Sequence, residues 1–384
     1  MVVTMKIAFV NGFYVPHLGG VETYTEKLAT ELKRLGHEII IITSKHDDDL
    51  PSVEKGDFTI YRLPTRNIFK QRCPILLKNK EFEKLVNEIN NEGIDFYICN
   101  ARFYLTTLFG LKLAKRNKKQ SLVVDHSSGK VSIGNKVLDY FVAIYERILT
   151  NRVKKYTNNF YGVSKRCNEW LKHFGINARG VFYNSIDDSE YKKYKDRQFT
   201  NKNKSDVKIL FVGRLLREKG VVMLLDVFTD LLVEYKNIRL FIAGTGKIDD
   251  DLRKQYKNKK IEFVGKLNHD SVMALFNTAD IFVHPSMYPE GLPTVIGEAG
   301  LMKCAVIATD RGGTVELIDS DEVGLIIEET RMDLRDKLKF LINNPKQVKM
   351  LSESLYNRVT KEFNWRKTVK VVESTIKELM NEKN

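Results

Sequence analysis

The sequence predicts an α/β protein built from two Rossmann-like, doubly wound domains, and three observations carry that expectation. Short β-branched runs alternate with amphipathic stretches from end to end, which implies right-handed βαβ crossovers and parallel sheets. The 384 residues are enough for two apolar cores. The alternation breaks once, between Asn184 and Ser205, where charge takes over in Asp187-Asp188-Ser189-Glu190 and then from Lys192 to Lys204. That stretch reads as a linker.

In the first half, Met5 to Val10 is a buried strand and Asn11 to Gly20 a loop. Val21 to Leu35 is a helix with Leu28, Leu32 and Leu35 at helical spacing, and Gly36 suits a left-handed stop. Further strands are expected at Glu38 to Thr43, Phe58 to Leu63, Ile94 to Cys99, Leu122 to Asp125 and Asn159 to Val163. The second half repeats the pattern at Val207 to Val212, Arg239 to Ala243, Ile261 to Val264, Ile281 to His284, Ala305 to Ala308 and Gly324 to Ile327, and Trp365 opens a last helix. The domains are placed at 1–190 and 205–364. Ligands of open α/β sheets bind beyond the carboxyl ends of the strands, so the site is expected in a central cleft that the two domains face.

Hydrophobic residues at 43% and charged residues at 29% are those of an ordinary folded chain; a peptide hormone, a lone finger or a coiled coil is excluded. A net charge of +14 favours anionic partners: a phosphorylated substrate, nucleic acid or an anionic membrane. Cys73, Cys99, Cys167 and Cys304 lie far apart with no Cys-x-x-Cys pair, so no zinc site and no disulfide framework is expected, which fits a reducing cytoplasm. Apolar runs such as Ile39 to Ile42 fall far short of the ~18 residues of a membrane span, and neither such a span nor a signal peptide is expected.

Several motifs fail on spacing. Gly244-Thr245-Gly246-Lys247 lacks the four residues and the Ser/Thr of a P-loop and does not extend to Gly-x-Gly-x-x-Gly, and Asn11-Gly12-Phe13-Tyr14 carries no dinucleotide fingerprint. Asp47-Asp48-Asp49 lies between Lys45 and Lys55 and reads as a solvated loop, so no metal is assigned.

The informative stretch runs from Asp280 to Glu316. A strand ends in His284-Pro285-Ser286, a loop carries Glu290-Gly291-Leu292-Pro293-Thr294, and a helix begins Val295-Ile296-Gly297-Glu298. Pro293 suits the first helical turn, whose free N–H groups and positive dipole end can hold a diphosphate. Carboxylates accept hydrogen bonds from sugar hydroxyls, so Glu290 and Glu298 can each take one sugar ring. Upstream, in Gly213-Arg214-Leu215-Leu216-Arg217-Glu218-Lys219-Gly220, Arg214 can grip a phosphate with its planar fork and Lys219 can add a compact charge. Downstream, Arg311-Gly312-Gly313-Thr314-Val315-Glu316 closes another strand with glycines.

Glu290 and Glu298 form Glu-x7-Glu. With Pro-Ser before it, Gly-Arg-x4-Lys-Gly ahead and Gly-Gly-x-x-Glu after, the second half resembles the retaining GT-B glycosyltransferases of family GT4, also called group 1. The first half resembles them at Pro16-His17-Leu18-Gly19-Gly20, Leu35-Gly36-His37-Glu38 and Asp125-His126, and the middle at Val163-Ser164-Lys165 and Tyr183-Asn184-Ser185-Ile186-Asp187. Lys303 and Ala305 stand where the family often has Gly and Pro, and Leu292-Pro293-Thr294 replaces the commoner Phe-Gly-Leu.

The resemblance implies a GT-B fold, an acceptor-binding first domain with the helix 365–384 packing back on it, and a donor-binding second domain. It implies that Arg214 and Lys219 bind a donor diphosphate, Glu298 the ribose and Glu290 the transferring sugar, with Gly20 letting backbone approach the phosphate and His126 lining the sugar site. The donor-binding set so expected also takes in Gly19, Gly213, Gly265, Leu267, Gly291, Leu292, Pro293, Thr294 and Val295; the catalytic set is Glu290, His126, Arg214 and Lys219. The structural alternatives are a packed core histidine at 126, a solvated helix start at Lys219, a plain turn at Gly19-Gly20 and a first-turn helix charge at Glu316.

The expected activity is metal-independent, retaining transfer of a sugar from a nucleoside-diphosphate sugar, a UDP-sugar rather than a GDP-sugar, to an alcohol acceptor, with no cofactor besides that co-substrate. Charge builds on the diphosphate as the sugar leaves, so a cationic clamp that strengthens in the transition state is the device required, and a front-face displacement follows if Glu290 is a sugar ligand rather than a nucleophile. A GT-B-like phosphorylase or nucleotide-sugar epimerase would use the same clamp. A basic nucleic-acid-binding protein is the reading from another class, but no binding module is recognisable, and no nucleic-acid partner is expected.

Arg62 to Lys84 contains Arg62, Arg66, Lys70, Arg72, Lys78, Lys80 and Lys84 against Glu81 and Glu83, interleaved with Ile68, Phe69, Ile75, Leu76 and Leu77. Lys112, Lys115, Arg116, Lys118 and Lys119 form a second cluster. Basic residues near an anionic surface gain about 1 kcal/mol each. The acceptor is accordingly expected to be a lipid-linked or cell-surface glycan precursor, with the enzyme peripheral on the inner face of the plasma membrane.

Overall fold

The computed structural model describes residues 4–17, 19–68, 73–130, 136–199 and 206–382. Two compact units divide the chain, one made of residues 1–184 and 365–384, the other of residues 185–364.

The first unit contains β1 (Lys6–Val10), α1 (Gly20–Arg34), β2 (Glu38–Lys45), β3 (Val53–Lys55), β4 (Thr59–Ile68), β5 (Cys73–Leu76), α2 (Lys80–Asn91), β6 (Phe96–Asn100), α3 (Leu105–Arg116), β7 (Gln120–Asp125), α4 (Lys136–Val153), β8 (Phe160–Gly162), α5 (Lys165–Lys172) and β9 (Gly180–Val181). The second contains α6 (Glu190–Tyr194), β10 (Val207–Val212), a 3-10 turn (Arg217–Lys219), α7 (Val221–Glu234), β11 (Ile238–Ala243), α8 (Asp249–Gln255), β12 (Ile261–Gly265), α9 (His269–Phe276), β13 (Ile281–His284), α10 (Thr294–Leu301), β14 (Ala305–Thr309), α11 (Thr314–Leu317), β15 (Leu325–Ile327), α12 (Arg331–Asn343) and α13 (Pro345–Glu362). The chain closes with α14 (Trp365–Asn381), which belongs to the first unit.

The first sheet runs β3-β4-β2-β1-β6-β7-β8-β9, with β5 joined to the far end of β4. Its central pairs are parallel, in the register Ile7 to Ile39 and Ala8 to Tyr97. The period of two divides β1 between two cores: Ile7 and Phe9 pack with α1 and α14, Ala8 and Val10 with the residues of α2 and α3. From α14, Trp365, Val369, Val372 and Ile376 enter the first of these cores. The buried His37 ties the same face together: its Nδ1 accepts the Met5 N–H at 3.2 Å and its Nε2 meets Glu373 of α14 at 3.3 Å. The second sheet is parallel throughout, in the order β12-β11-β10-β13-β14-β15, so the sequence-distant strands β10, β13 and β14 end side by side.

Three elements were not expected. β3 and β5 are short antiparallel additions to β4, and β9 has two residues; none is long or alternating enough to register as a strand. The stretch read as a linker is docked on the second unit from Ser185, whereas the expectation kept residues up to 190 with the first and began the second at 205. The cause lies at α6. Tyr194 is fully buried and donates to Asp270 at 2.5 Å, Phe199 donates its N–H to Thr278 at 2.8 Å, and Asn277 donates to the carbonyls of Lys195 and Arg197. Residues 200–205 lie outside the described part.

The basic stretch read as membrane-facing is also corrected in part. Arg62 is buried, paired with Glu54 at 2.8 Å, and Leu76 packs against the core that holds Ala8 and Val10. Arg66, Lys78, Lys80 and Lys84 are exposed, while Phe69, Lys70 and Arg72 lie outside the described residues. Neither a helix long and apolar enough to cross a membrane nor a group of three or more metal-ligating side chains occurs among the described residues.

Arg102 is a second buried cation among the described residues of this unit, with no exposed surface. It pairs with Asp125 at 2.5 Å and with Glu146 of α4, and its guanidinium lies 4.2 Å from the ring centre of Phe174. Burial pushes the Glu146 carboxyl above its ordinary range despite this partner. Arg102→Leu would leave two buried carboxylates uncompensated, so it should lower unfolding stability by ~3–5 kcal/mol in urea denaturation; an unchanged midpoint would show that the carboxylates find other partners.

Candidate active site

Most of the residues singled out in the second half gather at the carboxyl ends of β10, β13 and β14. Arg214 follows β10 by two residues and is exposed; no side-chain ion pair engages it among the described residues. Lys219 ends the 3-10 turn, and its ammonium pairs with Glu290 Oε1 across 71 residues of sequence. Ser286 donates its hydroxyl to the same oxygen at 3.2 Å, and the ammonium stands 4.8 Å from the ring centre of Tyr288.

Backbone packing holds this pair. Gly220 is left-handed at φ +73°, and a Cβ there would fall 2.0 Å from the Pro285 carbonyl oxygen. The Met287 N–H donates to the Glu218 carbonyl at 2.9 Å, joining the two loops directly. Gly312, at φ +58°, brings the loop after β14 against Glu290, where a Cβ would lie 1.8 Å from the Glu290 carbonyl oxygen, and Gly313 donates to Gly291 at 2.9 Å. Three strand ends are thus stitched into one rim, and both of these close approaches demand glycine.

Pro293 is the cap immediately before α10 rather than its first residue. Leu292 is buried, Gly291, Thr294, Val295 and Glu298 are half-buried, and Glu298 sits in the second turn of the helix. Gly213 leaves β10 and donates to Ala243 at 3.0 Å; Gly265, whose carbonyl accepts from Gly244 at 2.8 Å, and Leu267 leave β12, two strands away from β10. Glu316 is half-buried in α11.

His284, the last residue of β13, carried no expected role. It is 6% exposed, its Nε2 lies 3.8 Å from Glu290 Oε1, and that nitrogen has no hydrogen-bond partner among the described residues. Burial pushes its imidazole down to about 4, against a smaller upward pull from Glu290 and a further downward push from Lys219. It therefore stands neutral beside the pair.

In the first unit the strand ends carry His126, Gly19 and Gly20. Gly19 is the extended residue before α1, where a Cβ would meet the buried Glu22 carboxylate at 2.4 Å; at Gly20 a Cβ would meet nothing within 4 Å. Leu18 lies outside the described residues. His126 is half-buried against Tyr24, ring centres 4.8 Å apart, and desolvation holds its imidazole down to about 4.

A chain of polar side chains fixes its protonation. Thr25 of α1 donates to the Val21 carbonyl at 2.8 Å and accepts from both Asn11 and Asn100, and Asn100 also donates to Asn11 Oδ1 at 2.9 Å. Asn100 thereby turns its carbonyl oxygen to His126 Nε2, 3.0 Å away, so the neutral ring carries its proton there and leaves Nδ1 as an acceptor. Asp125 holds the turn, accepting from Arg102 and, at 2.9 Å, from the Ser127 N–H. Asn11, Asn100, His284 and Ser286 were given no role in the sequence, though each polar residue ends or follows a buried apolar strand.

Residues 18–190 match the model of Glycosyltransferase Family 4, and residues 192–358 match that of the glycosyl transferases group 1. The chain belongs to the GT4-type glycosyltransferases. Among curated relatives it is 24% identical to an uncharacterized glycosyltransferase of Methanocaldococcus jannaschii over 98% of this chain and 99% of that one. It is 25% identical to the phosphatidylinositol N-acetylglucosaminyltransferase gpi3 subunit of Schizosaccharomyces pombe, over 96% and 80%. Two solved structures share its GT-B fold at 14% and 17% identity. The Anabaena HepE complex with UDP superposes with a TM-score of 0.72 over 97% of this chain and 100% of that one, and the sucrose-phosphate synthase of Thermosynechococcus elongatus with 0.74 over 99% and 100%. This chain is a GT-B glycosyltransferase.

The neutral His284 makes a pH prediction for this glycosyltransferase. Its proton affinity is lower folded than unfolded, so the unfolded chain binds the extra proton and stability is lost as pH falls from about 6.5 toward 4. The loss attributable to His284 should reach ~2 kcal/mol by pH 5. His284→Asn should flatten that acid limb in thermal melts between pH 7 and 5; a limb as steep as the parent's would remove His284 as its source.

Proposed function

We propose that this glycosyltransferase moves a sugar from a UDP-sugar to a lipid-linked glycan precursor, with retention of anomeric configuration and without a metal ion, while peripheral on the inner face of the plasma membrane. The observation that carries the donor half is the cation placement in the second unit. Arg214 is exposed just beyond β10 and Lys219, five residues further on, is held on Glu290 by the glycine-backed rim, while the first turn of α10 adds backbone N–H groups. This is the arrangement a departing diphosphate needs. The choice of UDP draws support from HepE, solved with UDP and with UDP-glucose.

Glu290 has one carboxylate oxygen shared by the Lys219 ammonium and the Ser286 hydroxyl. A carboxylate so engaged is a poor nucleophile and a good acceptor for a sugar hydroxyl, which favours front-face displacement over a glycosyl-enzyme. On this reading Lys219 is shared with the diphosphate as the donor binds, Glu298 takes the ribose, and the leaving phosphate accepts the acceptor's proton. His126, neutral with Nδ1 as an acceptor, is assigned to a sugar hydroxyl, with Gly19 and Gly20 admitting the substrate to the backbone of the first unit. The lipid-linked acceptor draws support from the gpi3 relatives, whose name specifies transfer to phosphatidylinositol.

A panel of nucleotide sugars, read out as free nucleotide released with and without acceptor, tests the donor. Transfer should survive chelation by EDTA and give a product of unchanged anomeric configuration by NMR; inversion, or a chelator-dependent rate, would overturn the mechanism. Turnover without any alcohol acceptor would point to a phosphorylase or epimerase.

Arg214→Ala and Lys219→Ala should each lower kcat by roughly 10²–10³ while raising the donor KM much less, because their charges count most as the diphosphate leaves. Near-normal kcat in both variants would take them out of the chemistry.

A further inference from the structure

The helix α4 turns apolar side chains to solvent. Tyr140, Phe141, Ile144 and Ile148 are 66%, 61%, 40% and 51% exposed. Ile144 lies four residues after Tyr140, three after Phe141 and four before Ile148, so the four side chains form a single stripe roughly 12 Å long. The opposite face is already committed to the unit's interior, through Leu149 and Val153 in the core and Glu146 on the buried Arg102. Scattered exposed hydrophobics are ordinary on a protein surface, but two aromatics and two isoleucines in one line are not.

The surroundings of the stripe are basic. Arg147 and Arg152 are exposed on the same helix, and the packed neighbour α3 exposes Lys112 and Lys115. Their ammonium groups lie 5.9 and 5.5 Å from the ring centre of Tyr156, three residues beyond the end of α4, so this pair stands at the C-terminal end of the helix. An apolar line with a cationic margin matches an anionic lipid surface in both of its terms, insertion and headgroup attraction. A second copy of the same face would bring like charges together across a two-fold axis, and the +14 chain adds to that repulsion.

We infer that α4 is the membrane-docking element of this enzyme, with the Tyr140–Ile148 stripe seated at the boundary of headgroups and acyl chains and the flanking Arg and Lys residues on anionic headgroups. This deepens the lipid-acceptor reading, on which it rests for its purpose, and it places docking on α4 rather than on the stretch from Arg62 to Lys84.

The test is co-sedimentation of the full chain with vesicles of phosphatidylcholine alone or with a third of phosphatidylglycerol. The parent should bind the anionic vesicles, less so at high salt, and Phe141→Glu/Ile144→Glu should lose at least tenfold in partitioning while keeping its thermal melt. As a second readout, Tyr140→Trp should shift its emission to the blue on anionic vesicles only. Parental binding by the double variant, or an unshifted Tyr140→Trp emission, would overturn the inference. So would a concentration-dependent dimer in light scattering that the double variant abolishes, with no vesicle binding by the parent. If docking through α4 holds but transfer proceeds only to soluble glycans, the docking surface stands and the lipid-acceptor reading falls.

Discussion

The ion pair between Lys219 and Glu290 is the interaction on which the organisation of the second unit turns. Both side chains are largely withdrawn from water, at 12% and 20% exposure, and neither would keep its charge there cheaply without the other. They meet because the order β11-β10-β13-β14 sets sequence-distant strands side by side. The meeting is then made rigid by main chain rather than by side chains: Gly220 against Pro285, Met287 to Glu218, Gly312 against Glu290. A site whose charges move little on binding loses little free energy to reorganisation when negative charge develops on the substrate, which is why backbone packing matters to the chemistry.

The first unit solves a different problem with the same means. Beside the buried Arg102–Asp125 pair its strand ends carry amides, hydroxyls and a neutral imidazole, and every donor in the Asn11–Thr25–Asn100–His126 chain is directed by the one before it. The direction begins at the Thr25 hydroxyl, which gives its proton to the Val21 carbonyl, and ends at an imidazole nitrogen left open as an acceptor. Desolvation keeps both His126 and His284 uncharged well below neutral pH, so the two histidines add polarity to the strand ends without adding charge.

Much of this could be read from the chain alone, and the limits have physical causes. Buried parallel strands such as Ile209–Phe211 and Ile281–Val283 announce themselves as apolar runs, and the Glu-x7-Glu spacing with its upstream Arg and Lys falls beyond the ends of β10 and β13. What periodicity does not carry is which charge faces inward. Tyr194 sits among lysines and aspartates, and its burial against Asp270 made a docked segment look like a linker. Arg62 looks like its basic neighbours until β3 supplies Glu54 beside it. In α4 the apolar residues are helically spaced on more than one face, and only packing shows that Leu149 goes in while Ile148 stays out.

The same distinction sets how far net charge describes a partner. A surplus of +14 says nothing about how many cations remain available once the fold has formed. Arg62 and Arg102 are buried against carboxylates and Lys219 is held by Glu290, so none of these three presents a free charge to a distant surface. Arg214 and the outer faces of α3 and α4 keep exposed cations, but in two settings that suit different ligands. Just beyond β10 the cation belongs to a loop of the fixed backbone rim and suits a compact, multiply charged anion. Along α4 the cations border exposed aromatics and isoleucines, and a diffuse anionic sheet with an apolar interior satisfies both at once. Charge selects the sign of the partner; the rigidity and apolarity beside each charge select its kind.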